Sequence, residues 1–197
     1  MTTQPESNPV DPQDAYAVFC GQIDESNTQE LMASLTTASR KGQSVHLLFQ
    51  SSGGHVGDGI CLYNFFRSLP IELTVYNVGA VFSAGVIAYL GAKRRIASKR
   101  AIFMIHRVTG RPGEIPAMVL KGIERNLRIS DGNTESILAE NVTLPEKMKW
   151  SDLDAYDFYF SGEEAAQIGL AHEIGEFAPP RGTPVYYFSS QRREAGK

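Results

Sequence analysis

Gly79-Ala80-Val81-Phe82-Ser83-Ala84-Gly85 sets one serine inside an apolar run, with glycines close on both sides. A serine hydroxyl attacks a carbonyl only when a base takes its proton and donors receive the oxyanion, so a catalytic role needs partners elsewhere in the chain. The competing reading is a buried serine that caps a helix. Before the heptapeptide, residues 71–78 read as a β-strand, and after it residues 86–91 open a helix. The same order of strand, glycine turn and helix occurs one unit earlier. Residues 44–49 form an apolar strand, Ser51-Ser52-Gly53-Gly54 a turn, and residues 55–69 a helix with Ile60, Leu62, Tyr63, Phe65 and Phe66 at helical spacing before Pro70. Two consecutive βαβ crossovers predict an α/β fold with a parallel sheet, and place ligand chemistry at the carboxyl ends of the strands, where both glycine turns lie.

Upstream, residues 16–20 read as a buried strand stopped by Gly21. Asp24-Glu25-Ser26-Asn27 supplies capping chemistry for a helix running to about residue 40, with Leu31, Met32 and Leu35 on one face. Downstream, residues 94–98 and 101–105 are short strands around a Lys99-Arg100 turn, and the second ends in His106. A glycine- and proline-punctuated loop follows. A helix from residue 114 or 115 to about 141 then carries Met118, Ile123, Leu127, Ile137 and Leu138 among many charges. A long, mostly polar helix of this kind projects, or packs against another subunit. Residues 145–150 read as a further helical turn and 156–160 as a strand. Ser161-Gly162-Glu163-Glu164 caps a helix over 165–168, and 170–174 closes as a last strand. The expected organisation is a flexible arm over 1–14 (Pro5, Pro9 and Pro12 among polar residues), one domain over 15–178, and a tail over 179–197 in which Val185-Tyr186-Tyr187-Phe188 is suited to docking on a surface.

Composition narrows the function classes. The chain has 197 residues, enough for one well-cored domain, with 42% hydrophobic and 21% charged residues. A net charge of −3 without a basic stripe argues against nucleic acid. The apolar run over 80–90 is interrupted by Ser83 and Gly85 and is far shorter than the ~20 residues that cross a bilayer. Residues 1–9 lack the basic start and apolar core of a secretory signal, so a cytoplasmic location is expected. Cys20 and Cys61 have no metal spacing and lie in apolar patterns, which predicts two buried thiols and neither disulfide nor metal.

Of the four histidines, His46 sits mid-strand and His172 in the last strand, both read as structural, and His55 starts a helix at a solvent edge. His106 ends an apolar strand at the sheet edge where Ser83 is expected, which makes it the candidate general base. A base needs an acid to orient its other nitrogen. Asp157 stands out from Asp152 and Asp154 because Tyr156, Phe158, Tyr159 and Phe160 flank it, and a carboxylate in an aromatic run must find a partner or lose solvation. Backbone N–H groups at Gly53-Gly54 and at Ala84, directly after Ser83, are placed to receive an oxyanion. The order Ser83, His106, Asp157 and the presence of Val81 where an α/β-hydrolase elbow needs glycine argue against that fold.

Together these residues resemble the proteolytic subunit of the ATP-dependent Clp protease, within the wider Clp protease and crotonase-like superfamily. The likeness spans residues 19–174. Gly21-Gln22 looks like that family's Gly-Gln, Gln50-Ser51-Ser52-Gly53-Gly54 like its Asn-Ser-Pro-Gly-Gly turn, and residues 79–85 like its nucleophile segment. Met104-Ile105-His106 is similar to its Met-Ile-His, and Tyr156-Asp157-Phe158-Tyr159-Phe160-Ser161 with Glu163-Glu164-Ala165 to the segment holding its aspartate. The joint order is more specific than any one motif.

The resemblance implies the ClpP/crotonase-like fold of repeated βαβ units with a projecting handle helix, and a Ser83–His106–Asp157 triad with Gly54 and Ala84 N–H groups as oxyanion hole. It implies a serine endopeptidase acting on peptides or unfolded proteins inside a homo-oligomeric ring, heptameric and stacked in two, without a cofactor of its own. Any ATP would be used by a partner Clp-type unfoldase. The chain departs from the family pattern at Ser52, where the family has proline, at Ala84, where it has methionine, and at Tyr156, where it has an arginine that pairs across the ring interface. The short arm and the tail also lack the family's docking sequences, which weakens the expectation of an unfoldase partner. A crotonase-type acyl-CoA enzyme shares the fold and oxyanion hole but has no need of the three triad residues together. A non-catalytic ring subunit would be expected to have lost one of them.

Overall fold

The structure is a computed structural model that describes residues 14–110 and 116–188. Residues 1–13 of the expected arm over 1–14, the helix start at 114 or 115 and the end of the tail over 189–197 lie outside the described residues. The strands are β1 (Asp14–Cys20), β2 (Ser44–Gln50), β3 (Leu73–Asn77), β4 (Ala80–Phe82), β5 (Arg94–Ala97), β6 (Ile102–Ile105), β7 (Phe158–Ser161), β8 (Glu173–Ile174) and β9 (Val185–Phe188). The helices are α1 (Glu25–Arg40), α2 (Val56–Ser68), α3 (Ala84–Leu90), α4 (Ala117–Asn141) and α5 (Gly162–Gln167), with a 3₁₀ turn at Trp150–Asp154.

A six-stranded sheet in the order β8-β5-β3-β2-β1-β9 is parallel throughout. A second sheet, β4-β6-β7, pairs β4 with β6 in parallel and β6 with β7 antiparallel. Leu47, Phe49, Leu73 and Val75 of the central strands are fully buried, as are Leu31 and Leu35 of α1 and Leu62 and Phe66 of α2. Each buried side chain of this size contributes ~1.5–3 kcal/mol relative to exposure.

The caps act as the sequence indicates. Asp24 accepts the N–H of Asn27 at 2.9 Å to start α1. Ser161 and Glu164 form a reciprocal capping box at α5, with Ser161 N–H donating to Glu164 Oε2 at 2.8 Å. Tyr89 of α3 is wholly buried and donates to Ile96 O at 2.9 Å, and burial pushes its phenol far above the usual range.

Several expectations change. The turn over 79–85 contains β4, and this short strand starts the second sheet. The strands around Lys99-Arg100 do not form one ribbon: β5 joins the large sheet and β6 the small one. This follows because Ser98 N–H bonds back to Asn77 O while Ile102 N–H bonds to Gly79 O. Over 145–148 the chain makes a single bonded turn, Met148 N–H to Pro145 O at 2.9 Å, and a separate 3₁₀ turn begins at Trp150, where Lys149 N–H donates to the Asp152 carboxylate at 2.9 Å. The last strand shortens to Glu173–Ile174, since Gly169 takes positive φ and residues 169–172 turn. Val185–Phe188 pairs in register with β1 as an edge strand. The thiols are free but not buried as expected: Cys20 is half-buried and Cys61 exposed, because each falls on the outward side of its element.

Candidate active site

Ser83 stands where β4 meets α3, and its conformation comes from both. Its N–H donates to Met104 O at 2.8 Å, continuing the β4–β6 ladder, and its carbonyl accepts from Val86 N–H at 2.9 Å to begin the helix. Joining strand to helix at one residue forces φ to 54° and ψ to −124°. Ser83 is the one non-glycine residue with positive φ among the described residues, a conformation that costs ~1–3 kcal/mol and holds the side chain out of the chain's path.

The preceding crossover packs against it. Ser51 N–H donates to Ala80 O and Phe82 N–H to Ser51 O, so the two glycine turns are bonded to each other. A Cβ on Gly53 would lie 2.7 Å from Ser83 Cβ, which only glycine avoids. Gly54 is held more tightly still: a Cβ there would meet Ile23 O at 2.1 Å. Ile23 donates to Gly53 O and accepts from His55 N–H, so the alternation of a parallel bridge turns Gly54's own N–H away from Ile23. The N–H of Ala84, first in its helix, is unpaired by geometry. Neither N–H has an acceptor among the described residues.

β6 runs parallel to β4 with Phe82 opposite Met104, which carries His106 to the level of Ser83. His106 Nε2 and Ser83 Oγ are 2.7 Å apart and hydrogen-bonded. The Nδ1 of His106 has no hydrogen-bond partner among the described residues. Asp157 lies in the segment leading into β7; it is exposed and makes no hydrogen bond or ion pair with His106. The structure thus brings Ser83 and His106 together and leaves Asp157 apart. The aromatic flank that drew attention to Asp157 does not bury it: Tyr156 and Tyr159 are themselves exposed, while Phe158 and Phe160 point inward by strand alternation.

A cavity of about 450 Å³ opens beside the pair. Gly54, Ser83, Ala84 and His106 line one side, and Leu127, Ser130, Thr134 and Leu138 of α4 another. Its titratable lining groups among the described residues are His55 and His106. Such a site suits a neutral side chain held next to an attacking hydroxyl, with two N–H donors nearby for the charge that develops on a carbonyl oxygen.

Of the other histidines, His46 sits in its strand as expected, while His172 falls in the turn ahead of β8 rather than in the strand. His46 Nδ1 is 2.8 Å from Tyr76 Oη with Tyr16 stacked on its ring, and His172 Nδ1 accepts Arg95 N–H at 3.1 Å. His55 caps α2 without a side-chain cap bond and lies 3.3 Å from Asp58. Sequence reasoning missed Arg107, whose guanidinium meets Asp131, Glu135 and Asp154 directly after His106. Asp131 and Glu135, four residues apart on one face of α4, were the available signal.

Among the described residues no group of His, Cys, Asp and Glu is placed to hold a metal ion, and no helix is long and apolar enough to cross a membrane. The layout sets a serine bonded to a histidine beside two N–H groups that are free among the described residues, on a parallel α/β scaffold. A family model described as Clp protease matches residues 13–177, and the chain belongs to the Clp protease family, a family of peptidase subunits.

Two curated relatives agree. ATP-dependent Clp protease proteolytic subunit 2 of Pseudomonas aeruginosa is 27% identical over 158 residues, covering 78% of this chain and 77% of the relative. Proteolytic subunit 1 of Streptomyces avermitilis is 26% identical over 159 residues, covering 79% and 72%. The solved structure of a ClpP1 point mutant from Listeria monocytogenes superposes with a TM-score of 0.69 at 20% identity, over 84% of this chain and 92% of that one. That likeness carries the fold, which is the ClpP/crotonase-like one.

Proposed function

We propose that this chain is a serine endopeptidase subunit that cleaves peptides or unfolded proteins by acyl-enzyme chemistry, with Ser83 as nucleophile and His106 as base. The observation that carries this reading is the 2.7 Å hydrogen bond from Ser83 to His106 Nε2 at the strained end of β4. His106 takes the hydroxyl proton as Ser83 Oγ bonds to the peptide carbonyl carbon, and the oxyanion settles on the N–H groups of Gly54 and Ala84. The C–N bond then breaks as His106 returns the proton to the leaving amine. Water, deprotonated by the same imidazole, releases the acyl group and restores Ser83.

Asp157 is proposed as the residue that orients His106 when the subunit is assembled. The antiparallel register that pairs Ile105 with Phe158 runs on toward His106 and the exposed Asp157, which supports that contact. The names of the two relatives, both proteolytic subunits of an ATP-dependent Clp protease, support a subunit that works in an assembly where a separate Clp-type ATPase uses the ATP, and the form proposed for this chain is a heptameric ring homo-oligomer stacked in two. The expected place of action is the cytoplasm. A crotonase-type acyl-CoA reaction would use the two N–H donors but gives no role to a serine bonded to a histidine.

A fluorophosphonate, which phosphonylates only an activated serine, tests the proposal. Wild-type protein is expected to be labelled at Ser83 and to hydrolyse short fluorogenic peptides. Ser83→Ala should lose both, with activity falling by up to ~10⁶-fold. A folded, assembled wild type that takes no label refutes the assignment.

A further inference from the structure

One cation sits among three carboxylates immediately behind His106. Arg107 Nη1 lies 3.1 Å from Asp131 Oδ2 and bonds to Glu135 Oε2, both on α4, while Arg107 Nε donates to Asp154 Oδ1 at 2.8 Å. Its remaining amine donates to Trp150 O at 3.3 Å. The next residue is fixed to the same helix, since Val108 N–H donates to Asp131 Oδ1 at 3.0 Å. The chain leaving β6 is therefore pinned on one side to α4 and on the other to the 3₁₀ turn that ends three residues before Asp157. Arg107 is partly covered, at 23% side-chain exposure, whereas Asp154 is exposed, so the clamp's hold comes from its several simultaneous bonds rather than from burial.

We propose that Arg107 is a positioning residue for the Ser83–His106 pair, clamping the chain behind the imidazole between the long helix α4 and the segment that carries Asp157. The proposal rests on the serine-peptidase reading of Ser83 and His106. The physical reason is a charge imbalance. With Arg107 present, three acids converge on one planar fork whose donors reach all of them at once. Without it they face one another as like charges, and the cheapest relief is for α4 and the 154–157 segment to move apart. That would release the backbone at Val108 and let the His106 ring drift from Ser83. A displacement of about 1 Å is enough to cost up to ~10²-fold in rate. No side chain of the clamp other than Arg107 bridges both elements, so loss of a single acid should do less than loss of the arginine.

The test compares wild type, Arg107→Ala, Arg107→Lys and Glu135→Gln as assembled, full-length proteins. Two measurements are taken: the rate of fluorophosphonate labelling together with kcat and KM for a peptide, and amide hydrogen exchange over residues 105–109 and 152–158. Arg107→Ala is expected to label at least about tenfold more slowly, through kcat with KM nearly unchanged, and to exchange faster at Val108 and across 152–158 while α2 and β2 stay protected. Arg107→Lys, which keeps the charge but loses the fork, should fall between, and Glu135→Gln should stay near wild type. Wild-type labelling and kcat in a folded Arg107→Ala protein would overturn the positioning role and leave Ser83 as nucleophile standing. An unlabelled wild type would refute the peptidase reading instead and take the positioning role with it, leaving exchange at Val108 to report only a structural tie.

Discussion

The two arms of the site are built differently. The nucleophile arm, Gly53-Gly54 with Ser83-Ala84, is made of backbone packed on backbone: the two turns bond to each other, a Cβ at either glycine would strike a neighbour, and α3 behind them is buried at every position. The acid arm, residues 154–157, is exposed and fastened through side chains, above all the Arg107–Asp154 contact. An arrangement set by the interior of one chain cannot drift without unfolding, whereas one set by exposed ion pairs responds to whatever covers it. The difference teaches that the Ser83–His106 contact is formed within a single chain, while the exposed segment of Asp157 leaves its place relative to His106 open to whatever covers it.

The contrast breaks or sharpens most clearly at Asp157. If it orients His106 in the assembled protein, Asp157→Asn should lower kcat roughly 10⁴-fold with the melting temperature hardly moved, as befits an exposed residue. A loss of less than tenfold would show that the acid arm stays apart and that His106 works without it.

Next in size is Gly54→Ala. Its φ of +149° and the contact with Ile23 O predict destabilisation of about 3 kcal/mol, read as a lower urea midpoint. Gly57→Ala, three residues on with nothing within 4 Å of the added carbon, is the control and should be neutral or slightly stabilising. Equal midpoints for the two variants would contradict the packed nature of the nucleophile arm.

The smallest effect lies away from both arms. Burial holds the imidazoles of His46 and His172 below their ordinary value, against a raising influence of Asp14 on the first and of Glu173 on the second. The unfolded chain therefore binds more protons in the window under about pH 6.5, and stability present above it is lost as pH falls. Thermal melts from neutral pH to about pH 5 should show this decline, and His46→Gln should flatten part of it. A rising melting temperature on acidification would reverse the sign and the explanation.

Much of the frame was legible because local and long-range preferences coincide. Asp24 caps α1 where the capping residues fall, and the doubled strand, glycine turn and helix marks the two crossovers that meet at Ser83. What escaped was decided by pairing between distant segments. β4 is three residues long and exists because Ser51 and β6 flank it. Ala97 and Ile102 lie five residues apart but answer to different neighbours, Asn77 and Gly79. Asp157 followed its aromatic neighbours in sequence, yet period-two alternation sends Phe158 and Phe160 inward and leaves the residue ahead of them in water. Arg107 escaped because its partners come from α4 and the 3₁₀ turn, which nothing local to the His106 motif announces.

The pairing of β9 with β1 also has a meaning for how the molecule is made. Among the described residues, the strand that covers the outer edge of β1 is the last to be synthesised, so a ribosome must deliver everything from β1 to Phe188 before that edge is closed. Until then β1 presents a row of unpaired N–H and C=O groups beside a formed parallel sheet, the condition under which nascent chains join one another. Completion of the sheet is therefore a checkpoint in time: helices and central strands form early, and protection from edge-to-edge association arrives with Val185–Phe188.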